Sequence, residues 1–512
     1  MKRQVSIPVW LTGLLLGAEL AVCAAEVDAL TGFQVKQGFR LELVAAEPLV
    51  LDPVAMSFDG DGRLFVAEHR NFPEADRGTA PLGRIRLLQD ADGDGRFETS
   101  KDFADGLSAP SALICWDRGV IVAAGTEILH CQDADGDGRA EKRTVLLSAP
   151  TNTTGNTGAV MPIRSFVWGL DSRIHAAGGG LGVALPGIGV GLDAAWLPGQ
   201  DFAFDPRAPA FEIESSFGSA GVSFDSRGRK FVCSETHPLR QVMWEARHVA
   251  GENRFALPTP LAEITGPLSA TPLLALRAGS DGRPGIGSKN MRRVSEPFAG
   301  ASSVLVYRGN SYPAAYSEDV FVADARAGVV HRFKLRTNAV ELVAERAADD
   351  RGTEFLCSTN RWFRPVHLAS GPDGALYVVD LHREFLDDTA RLTESQSREA
   401  MSRRGNDRGR IYRIVPEKFT RPAAPQLENA DTPGLLKQLT HLNGWHRDTA
   451  ARLLHERSDV GAKLLSVNVA ELAKSAYARL HALGVLDGQG LLQETNVTRR
   501  LRDPDERVRF RA

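Results

Sequence analysis

The chain has 512 residues, of which 43% are hydrophobic and 24% are charged, and its formal net charge is −3. This balance is typical of a folded globular protein and excludes a disordered chain, a collagen-like fibre and a polytopic membrane protein. It also gives no support for nucleic-acid binding, which needs a concentrated basic surface.

The first residues have the composition of an export signal. Two basic residues precede an apolar stretch from about Ile7 to Val22, and two alanines follow it. This order predicts a cleaved signal peptide at residues 1–25 and therefore a periplasmic or cell-surface location. A retained membrane anchor or a lipid-modified Cys23 is the alternative, although the apolar run is short for a membrane span.

One unit recurs along the chain: an apolar strand, a turn built on Asp or Gly, and a second apolar strand. The unit occurs, in whole or in part, at Val54–His69, Ser111–Gly125, Arg164–Gly178, Ala220–Glu235, Ser317–Phe333 and Val366–Asp380. The fifth copy keeps only the second strand and its continuation. Units of about 40–55 residues with about four strands are typical of propeller blades. The six copies therefore predict an all-β, six-bladed propeller at residues 33–418.

Two acidic loops within the predicted propeller share the sequence D-A-D-G-D-G. Their carboxylates belong to Asp90, Asp92 and Asp94, and to Asp133, Asp135 and Asp137. Carboxylates at positions 1, 3 and 5 with glycine at position 6 form the first half of a calcium loop. The glutamate usual at position 12 is absent, and Glu98 and Glu141, both at position 9, are the candidates to replace it. The alternative is that these segments are ordinary β-turns.

Acidic residues also end the second strand of several units, and histidines follow them. Alignment of the units places Glu68, Asp324 and Asp380 at one position, with His69 and His382 just beyond. Because equivalent strand ends of a closed propeller surround one rim, these side chains are predicted to converge there as a metal or general-base site. The alternative is that each carboxylate only caps its own strand.

Cysteines are too few for a disulfide scaffold. After the signal peptide, four remain: Cys115, Cys131, Cys233 and Cys357. Buried free thiols are expected, although an oxidising compartment would permit a disulfide between Cys115 and Cys131 on neighbouring strands.

The pattern changes near Pro422. A proline-rich linker at residues 419–432 leads to apolar residues at three- and four-residue spacings, which indicate helices. The last segment, Leu501–Ala512, looks like the turn and second-helix start of a HEAT-type repeat. Residues 433–512 are therefore predicted to form HEAT-like helical repeats of an α-solenoid. Since solenoids normally end in polar caps, the array is expected to continue beyond this sequence.

Several longer segments resemble one known family. They are Asp201–Glu212, Ser223–Ser234, Tyr307–Asp324, Glu354–Glu384 and Asn406–Lys418. Through them, residues Phe33–Lys418 resemble the membrane-bound dehydrogenase N-terminal domain family, a propeller group similar to the quinoprotein glucose/sorbosone dehydrogenases. The resemblance implies pyrroloquinoline quinone and calcium as cofactors, and a cytochrome c domain as electron acceptor.

The resemblance also implies a histidine base and an arginine that polarises the quinone. His69, His382 and Arg383 are the catalytic candidates, and Arg361 and Arg364 are the candidates for cofactor binding. The chain departs from the family where His382 replaces the usual aromatic residue of a D-x-Y-R-E motif. It departs again at Phe385–Asp388, where relatives have an I-E-H-P type of segment.

The leading prediction is therefore oxidation of a sugar or polyol, with electrons passed to a haem domain. The chain itself contains no C-x-x-C-H haem attachment motif. The alternatives are a non-catalytic propeller and HEAT module that binds a glycan or a protein, and a lactonase-like hydrolase that depends on a divalent metal. The sequence leaves membrane association open.

Overall fold

The structure, a computed structural model, describes most of the predicted propeller and of the helical segment. The described residues are 29–70, 81–148, 163–178, 200–208, 211–245, 247, 258–266, 300–338, 341–350, 352–384, 405, 407–457 and 474–512. The predicted signal peptide at residues 1–25 and the segment Phe385–Asp388 lie outside them.

Six antiparallel sheets form the blades of a β-propeller, which confirms the prediction from the repeat. In blades 1 to 4 the four strands follow one another in chain order from the innermost to the outermost. Blade 1 contains β3 Pro53–Phe58, β4 Leu64–Glu68, β5 Gly83–Gln89 and β6 Thr99–Leu107; blade 2 contains β7 Pro110–Trp116, β8 Gly119–Ala124, β9 Glu127–Gln132 and β10 Lys142–Ser148. Blade 3 contains β11 Ser165–Trp168, β12 Ile174–Ala177, β13 Phe202–Phe204 and β14 Phe211–Ile213; blade 4 contains β15 Gly221–Phe224, β16 Lys230–Cys233, β17 Arg240–Val242 and β18 Leu261–Glu263.

Blades 5 and 6 also take up the first strands of the chain. Blade 5 contains β19 Ala301–Val306, β20 Val320–Asp324, β21 Val329–Asn338, β22 Glu341–Arg346 and β23 Leu356–Ser358, and β1 Phe33–Val35 pairs with β23. Blade 6 contains β24 Pro365–Ser370, β25 Leu376–Asp380 and β26 Arg410–Pro416, and its fourth strand is β2 Phe39–Ala46. The fifth copy of the repeat therefore covers β20 and the start of β21, and its first strand is β19.

The pairing of β2 with β26 closes the ring. The two strands are antiparallel, and Phe39 lies opposite Pro416 while Ala46 lies opposite Arg410. An N-terminal strand thus completes the last blade as its outermost strand, so that β26 is paired on both sides. Each innermost strand contacts the innermost strand of the next blade, in the order β3, β7, β11, β15, β19, β24 and back to β3.

The recurrent turn of the repeat has a simple physical basis. In blade 1 the Asp59 carboxylate accepts hydrogen bonds from the backbone N–H groups of Asp61 and Arg63, and Gly62 adopts a left-handed φ of 83°. Asp225 of blade 4 repeats this pattern. An aspartate that caps its own turn and a glycine that permits positive φ explain why D-x-x-G recurs between the first and second strands.

The four cysteines Cys115, Cys131, Cys233 and Cys357 are buried and free. Cys115 and Cys131 both lie opposite Val120 of β8, one on each side of that strand. Two strand spacings, about 9.6 Å, therefore separate their backbones, which is too far for a disulfide.

Five helices follow the propeller among the described residues. They are α1 Thr432–Gln438, α2 Gly444–Glu456, α3 Ala476–Gly488, α4 Glu494–Arg500 and α5 Glu506–Arg511. Side chains of Asp431, Asn443, Ser475 and Asp505 cap the N-termini of α1, α2, α3 and α5. None of the helices in the described ranges has the length and apolar character needed to span a membrane.

The helical segment packs on one face of the propeller, the face that carries the turns between first and second strands. We call this the turn face, and the face where the first strands begin the entry face. Hydrogen bonds or ion pairs connect the segment to all six blades: Gly60–Glu428, Asp117–Glu456, Ser172–Gly484, Arg227–Glu506, Arg308–Asp448 and Gly371–Asn443. The predicted linker is part of this contact, since Leu427 is buried and its N–H donates to the Gly60 carbonyl.

Glycines allow the helices to approach the propeller backbone. A Cβ atom at Gly484 of α3 would lie 1.7 Å from the carbonyl oxygen of Leu170 in the blade 3 turn. Carbon and oxygen atoms cannot approach so closely, so any side chain at this position has to push α3 away from the propeller.

We therefore expect Gly484→Val to lower the free energy of unfolding by about 2 kcal/mol, within the range for overpacked sites. Thermal melts of the full chain measure this effect. The control is Asp487→Ala, one helical turn further along α3, whose side chain is half-exposed and 3.7 Å from Arg511. Equal melting temperatures for the two variants would contradict the docked position of α3.

Candidate functional site

A cavity of about 180 Å³ lies on the propeller axis. Residues of all six innermost strands form its wall, and Trp445, Asp448, Thr449 and Arg452 of α2 line it as well. Helix α2 therefore lies across the turn-face end of the channel. A molecule would therefore approach the axis from the entry face, whereas α2 covers the channel at the turn face.

Serine hydroxyls tie neighbouring innermost strands together around this cavity. The Ser57 hydroxyl accepts a hydrogen bond from the Cys115 N–H of blade 2. Ser223 and Ser303 do the same for Val306 and Leu368 of the next blades, at 2.9 and 3.1 Å. These bonds fix the inner strands relative to one another, which keeps the wall of the cavity in place.

The carboxylates predicted to converge on the entry face serve their own blades instead. Glu68 accepts a hydrogen bond from the Leu51 N–H (2.7 Å) and pairs with Arg84. Asp324 accepts from the Gly300 and Ala327 N–H groups. Asp380 accepts from the N–H groups of Arg364 and His382, at 2.7 and 2.8 Å. Each carboxylate thus holds the chain that enters or leaves its blade.

This arrangement corrects the expected rim metal site. Among the described residues, the groups of His, Cys, Asp or Glu close enough to share an ion do not include Glu68, Asp324 or Asp380. The physical reason is that a buried carboxylate needs hydrogen-bond donors, and the nearest donors are backbone N–H groups of the same blade. The geometry therefore does not favour a lactonase-like metal centre at this position.

Arg364 and His382 are also held by structural partners. The Arg364 guanidinium donates to the carbonyl oxygens of Ala325, Arg326, Arg383 and Glu384, and so joins blade 5 to blade 6. Its predicted role as a cofactor ligand is not supported by these contacts, because its donors are used by backbone carbonyls.

The His382 ring is buried, with Nδ1 3.0 Å from Asp380 Oδ2 and its centroid 5.8 Å from that of Trp362. These contacts fix its orientation. Arg361, the second candidate for cofactor binding, is partly buried in the turn between β23 and β24.

The structure does bring two of the predicted residues together, at the seam between blades 6 and 1. Arg383, just after β25, forms a buried ion pair with Asp52, which precedes β3, and its Nε lies 2.7 Å from Asp52 Oδ1. His69, just after β4, donates its backbone N–H to the Asp52 carbonyl at 3.1 Å. We call Asp52, His69, Arg70 and Arg383 the seam cluster.

The backbone of this region is strained. Asp52, Arg70 and the adjacent His382 have φ values of 58°, 50° and 51°, in the left-handed region that non-glycine residues seldom adopt. Each such residue costs of order 1 kcal/mol or more, and strain of this kind concentrates at functional sites. The strain at three positions of one seam therefore marks it as a candidate site.

Electrostatics keep the His69 imidazole neutral. Burial, and then the charge of Arg383, lower the pKa of His69 to about 4. Burial raises the pKa of Asp52, while Arg383 and Arg70 oppose that rise. The Arg70 Nε atom is buried and has no hydrogen-bond partner among the described residues. The cluster thus offers a neutral proton acceptor near the guanidinium of Arg383, which is paired with Asp52.

The two acidic loops have the same internal geometry. They connect β5 to β6 and β9 to β10, the third and fourth strands of blades 1 and 2. The first residue of each loop, Asp90 or Asp133, accepts hydrogen bonds from the two glycine N–H groups. Ligand oxygens of the four acidic side chains in each loop lie within 4.8 Å of one another, and the fourth is Glu98 or Glu141. Glu98 and Glu141, at position 9, thus complete the two groups of carboxylates.

Asp52 and Arg70 were missed in the sequence analysis. Neither belongs to the strand pattern, because both lie just outside a strand. The side-chain partner of Asp52, Arg383, is more than three hundred positions away in blade 6. The only local signal was the Asp52–Pro53 step at the start of β3.

A model of a protein family described as "Domain of unknown function (DUF7133)" matches residues 25–418. The predicted span of residues 33–418 lies within this match and ends at the same residue. No curated protein matches the chain.

Solved structures similar to this chain include three enzymes or enzyme domains. The pyrroloquinoline quinone domain of pyranose dehydrogenase from Coprinopsis cinerea is 13% identical, with a TM-score of 0.41 over 75% of this chain and 97% of that one. The soluble aldose sugar dehydrogenase from Escherichia coli is 13% identical, with a TM-score of 0.40 over 74% and 100%. A Trichoderma reesei carbohydrate-active enzyme of family AA12 is 12% identical, with a TM-score of 0.39 over 75% and 98%. TM-scores this low do not carry an activity from those proteins to this chain.

We expect Asp52→Asn to lower the free energy of unfolding by about 3 kcal/mol, because the buried Arg383 guanidinium would lose the carboxylate that binds its Nε. Urea unfolding of the full chain measures this. The control is Asp105→Asn, whose ion pair with Arg143 is exposed and should contribute less than about 1 kcal/mol. A loss at Asp52 no larger than at Asp105 would contradict a buried, paired Arg383.

Proposed function

The chain belongs to the DUF7133 family, and we propose that it is a quinoprotein-type dehydrogenase that oxidises a sugar or polyol at the entry face. The observation that carries this proposal is the seam cluster, in which a neutral imidazole lies beside a fixed guanidinium. Oxidation of a hydroxyl-bearing carbon removes a proton from oxygen and a hydride from carbon, so it needs a proton acceptor that is deprotonated before the reaction, as a neutral imidazole is.

The charges of the seam residues fit an anionic cofactor. Arg383 pairs with Asp52, the charge of Arg70 also acts on that carboxylate, and the buried Nε of Arg70 has no partner among the described residues. A carboxylate-bearing quinone would satisfy such donors, since guanidinium groups bind carboxylates in paired geometry. When bound, pyrroloquinoline quinone supplies the acceptor for the two electrons of the hydride.

The roles of the chain's own residues follow from their contacts. His69 accepts the hydroxyl proton of the substrate as the carbon is oxidised. Arg383 is held by Asp52 and keeps the imidazole deprotonated through its charge. His382 is a positioning residue. Asp380 fixes the His382 ring against Trp362, and His382 directly precedes Arg383 in the chain.

The same proposal includes the finer predictions for the rest of the chain. Residues 1–25 direct export to the periplasm or cell surface, residues 433–512 are HEAT-like units, and a cytochrome c domain takes the electrons. The order of basic, apolar and small residues supports export. The apolar spacing in α2 and α3 supports paired helices, because it gives each helix an apolar face that can pack against a neighbouring helix.

We expect His69→Gln to lower kcat/KM for dye reduction by about a hundredfold or more, the usual contribution of a general base. The assay uses the full chain supplied with pyrroloquinoline quinone, Ca²⁺ and a panel of sugars and polyols. His237→Gln is the matched control, because His237 follows the second strand of blade 4 and, within the described part of the chain, its ring bonds to neighbouring Ser234 and Thr236. Equal activities of the two variants would refute the assignment, and no turnover and no quinone binding by the wild type would refute the function.

The pH profile provides a second readout. A base is active when it is deprotonated, and the pKa of His69 lies at about 4 instead of its ordinary 6.5. We therefore expect wild-type kcat/KM to hold between pH 7 and pH 5 and to fall only as the pH approaches 4. A fall centred near pH 6.5 would show that a different imidazole, or an unburied one, accepts the proton.

We also propose that the acidic loops of blades 1 and 2 each bind one Ca²⁺. At a hundred times the dissociation constant, Ca²⁺ should stabilise the full chain by about 2.7 kcal/mol per loop. The double variant Asp92→Asn/Asp135→Asn should lose this effect, because the amide keeps the turn hydrogen bond to Asp94 or Asp137 but removes a charged ligand. Melting curves in Ca²⁺ and in chelator measure it, with Glu127→Gln as the control. Identical shifts in the double variant and the control would mean that the loops are only turns.

A further inference from the structure

The turns of blades 3 and 6 differ from the aspartate-capped turns of blades 1 and 4. They begin with a glycine, Gly169 or Gly371, and the carboxylate stands two residues later, at Asp171 or Asp373. A Cβ atom at either glycine would lie 2.3–2.7 Å from that carboxylate and from an aromatic ring four residues beyond it. The missing Cβ thus leaves room for a contact between the aspartate and a ring of the second strand.

The ring differs between the two blades. In blade 6 it belongs to Tyr377, whose hydroxyl donates to Asp373 Oδ2 at 3.1 Å, and burial raises the pKa of this phenol. In blade 3 it belongs to His175, whose Nε2 lies 3.0 Å from Asp171 Oδ1 and whose Nδ1 lies 2.6 Å from Glu214 Oε1. An imidazole whose two nitrogens both donate carries a proton on each. His175 is therefore an imidazolium between two carboxylates.

The surroundings of His175 are buried. Phe224 of β15 covers the ring, with the two ring centroids 4.8 Å apart, and both carboxylates are buried as well. Lys230 of β16 pairs with Glu214 but also lies 4.0 Å from a further buried carboxylate, so it cannot replace the imidazolium. The remaining charged groups near the cluster are Asp201, Glu245, Arg247 and Arg511.

Protonation of His175 is coupled to folding. Burial opposes the charge on the ring, but Glu214 and Asp171 outweigh it and raise the pKa of His175 from its ordinary 6.5 to about 9. The imidazolium therefore stabilises the folded chain fully below pH 6.5, and this contribution is lost as the pH rises through about 9. Deprotonation would leave two buried carboxylates facing an uncharged ring, which is unfavourable.

The turn that contains Asp171 is the one on which α3 is docked. The hydroxyl of Ser172 donates to the Gly484 carbonyl at 3.0 Å. On the other side of Asp171, the Leu170 carbonyl lies where a Cβ atom of Gly484 would be. Because α3 rests on the residues directly before and after Asp171, a shift of this aspartate changes the surface that α3 contacts.

We propose that His175 is a pH-sensitive switch for docking of the helical segment. Its imidazolium holds Asp171, and with it the turn that contacts α3, and loss of the proton at alkaline pH releases α3 from blade 3. The turn of blade 6 does not respond in this way, because Tyr377 occupies the ring position there. The switch requires neither a cofactor nor turnover, so it is independent of the dehydrogenase proposal.

Urea unfolding of the full chain at pH 6.5 and pH 9.5 tests the coupling. The folding equilibrium constant of the wild type should fall about a hundredfold, as linkage requires for a pKa raised from 6.5 to about 9. Asp171→Asn removes one of the two carboxylates and should reduce this change to about tenfold or less. If that variant does not fold, Glu214→Gln removes the other carboxylate, with the same expected result.

The matched control is Asp373→Asn, which alters the same turn position in blade 6. Its partners Tyr377 and Arg413 keep their protons over this pH range, so the variant should be less stable at both pH values and retain the hundredfold change. A wild-type constant that changes less than about threefold would overturn the proposal. So would an equal pH dependence in the wild type and in both carboxylate variants of blade 3.

Hydrogen exchange of the wild type at the same two pH values shows which helix responds. After correction for the intrinsic exchange rate, protection of amides in α3 should fall about tenfold or more at pH 9.5. Protection in α2, which is docked on the turn of blade 6 through Asn443, should change less. Equal losses in α2 and α3, or no loss in α3, would show that His175 does not control the docking of α3.

Discussion

The pairing of β2 with β26 is the constraint on which the rest of the structure depends. A propeller is stable only when its blades form a closed ring, because each blade covers one face of its neighbour with apolar side chains. The cluster between blades 6 and 1 contains Val44 of β2, Met56 of β3 and Ile411 of β26. Without the N-terminal strand, blade 6 would lose its outermost strand, and the backbone groups of β26 that pair with β2 would lose their partners.

The closure also creates the candidate site. Asp52 lies between β2, which belongs to blade 6, and β3, which begins blade 1, so the chain changes blades at this residue. The ion pair between Asp52 and Arg383 spans the same seam. The left-handed conformations of Asp52 and Arg70 are maintained because strands on both sides are fixed by pairing and burial. Strain, a buried charge pair and a neutral histidine therefore coincide where the two ends of the propeller meet.

The sequence was sufficient to predict the architecture because the repeat has a local cause. Turns such as Asp59–Gly62 are determined by hydrogen bonds within a few residues, and strand alternation is equally local. The closing strand β2 could not be predicted in this way, since it pairs with residues more than 360 positions away and has no turn motif of its own. Position within a repeat was also misleading for Glu68, Asp324 and Asp380, whose equivalence reflects a shared structural task and not a shared ligand.

The helical segment changes how the two faces of the propeller can act. Its contacts reach the turns of all six blades, and α2 closes the axis with Trp445 and Arg452. A molecule that reaches the channel must therefore pass the entry face, where the seam cluster lies. The proline-rich linker at residues 419–432 indicated where the propeller ends, but local composition carries no signal for how the helices pack on it. At Gly484 a side chain would meet the propeller backbone, so a glycine there allows the helical segment to pack directly against the propeller. The helical segment thus covers the channel at the turn face, while the seam cluster lies at the opposite, entry face.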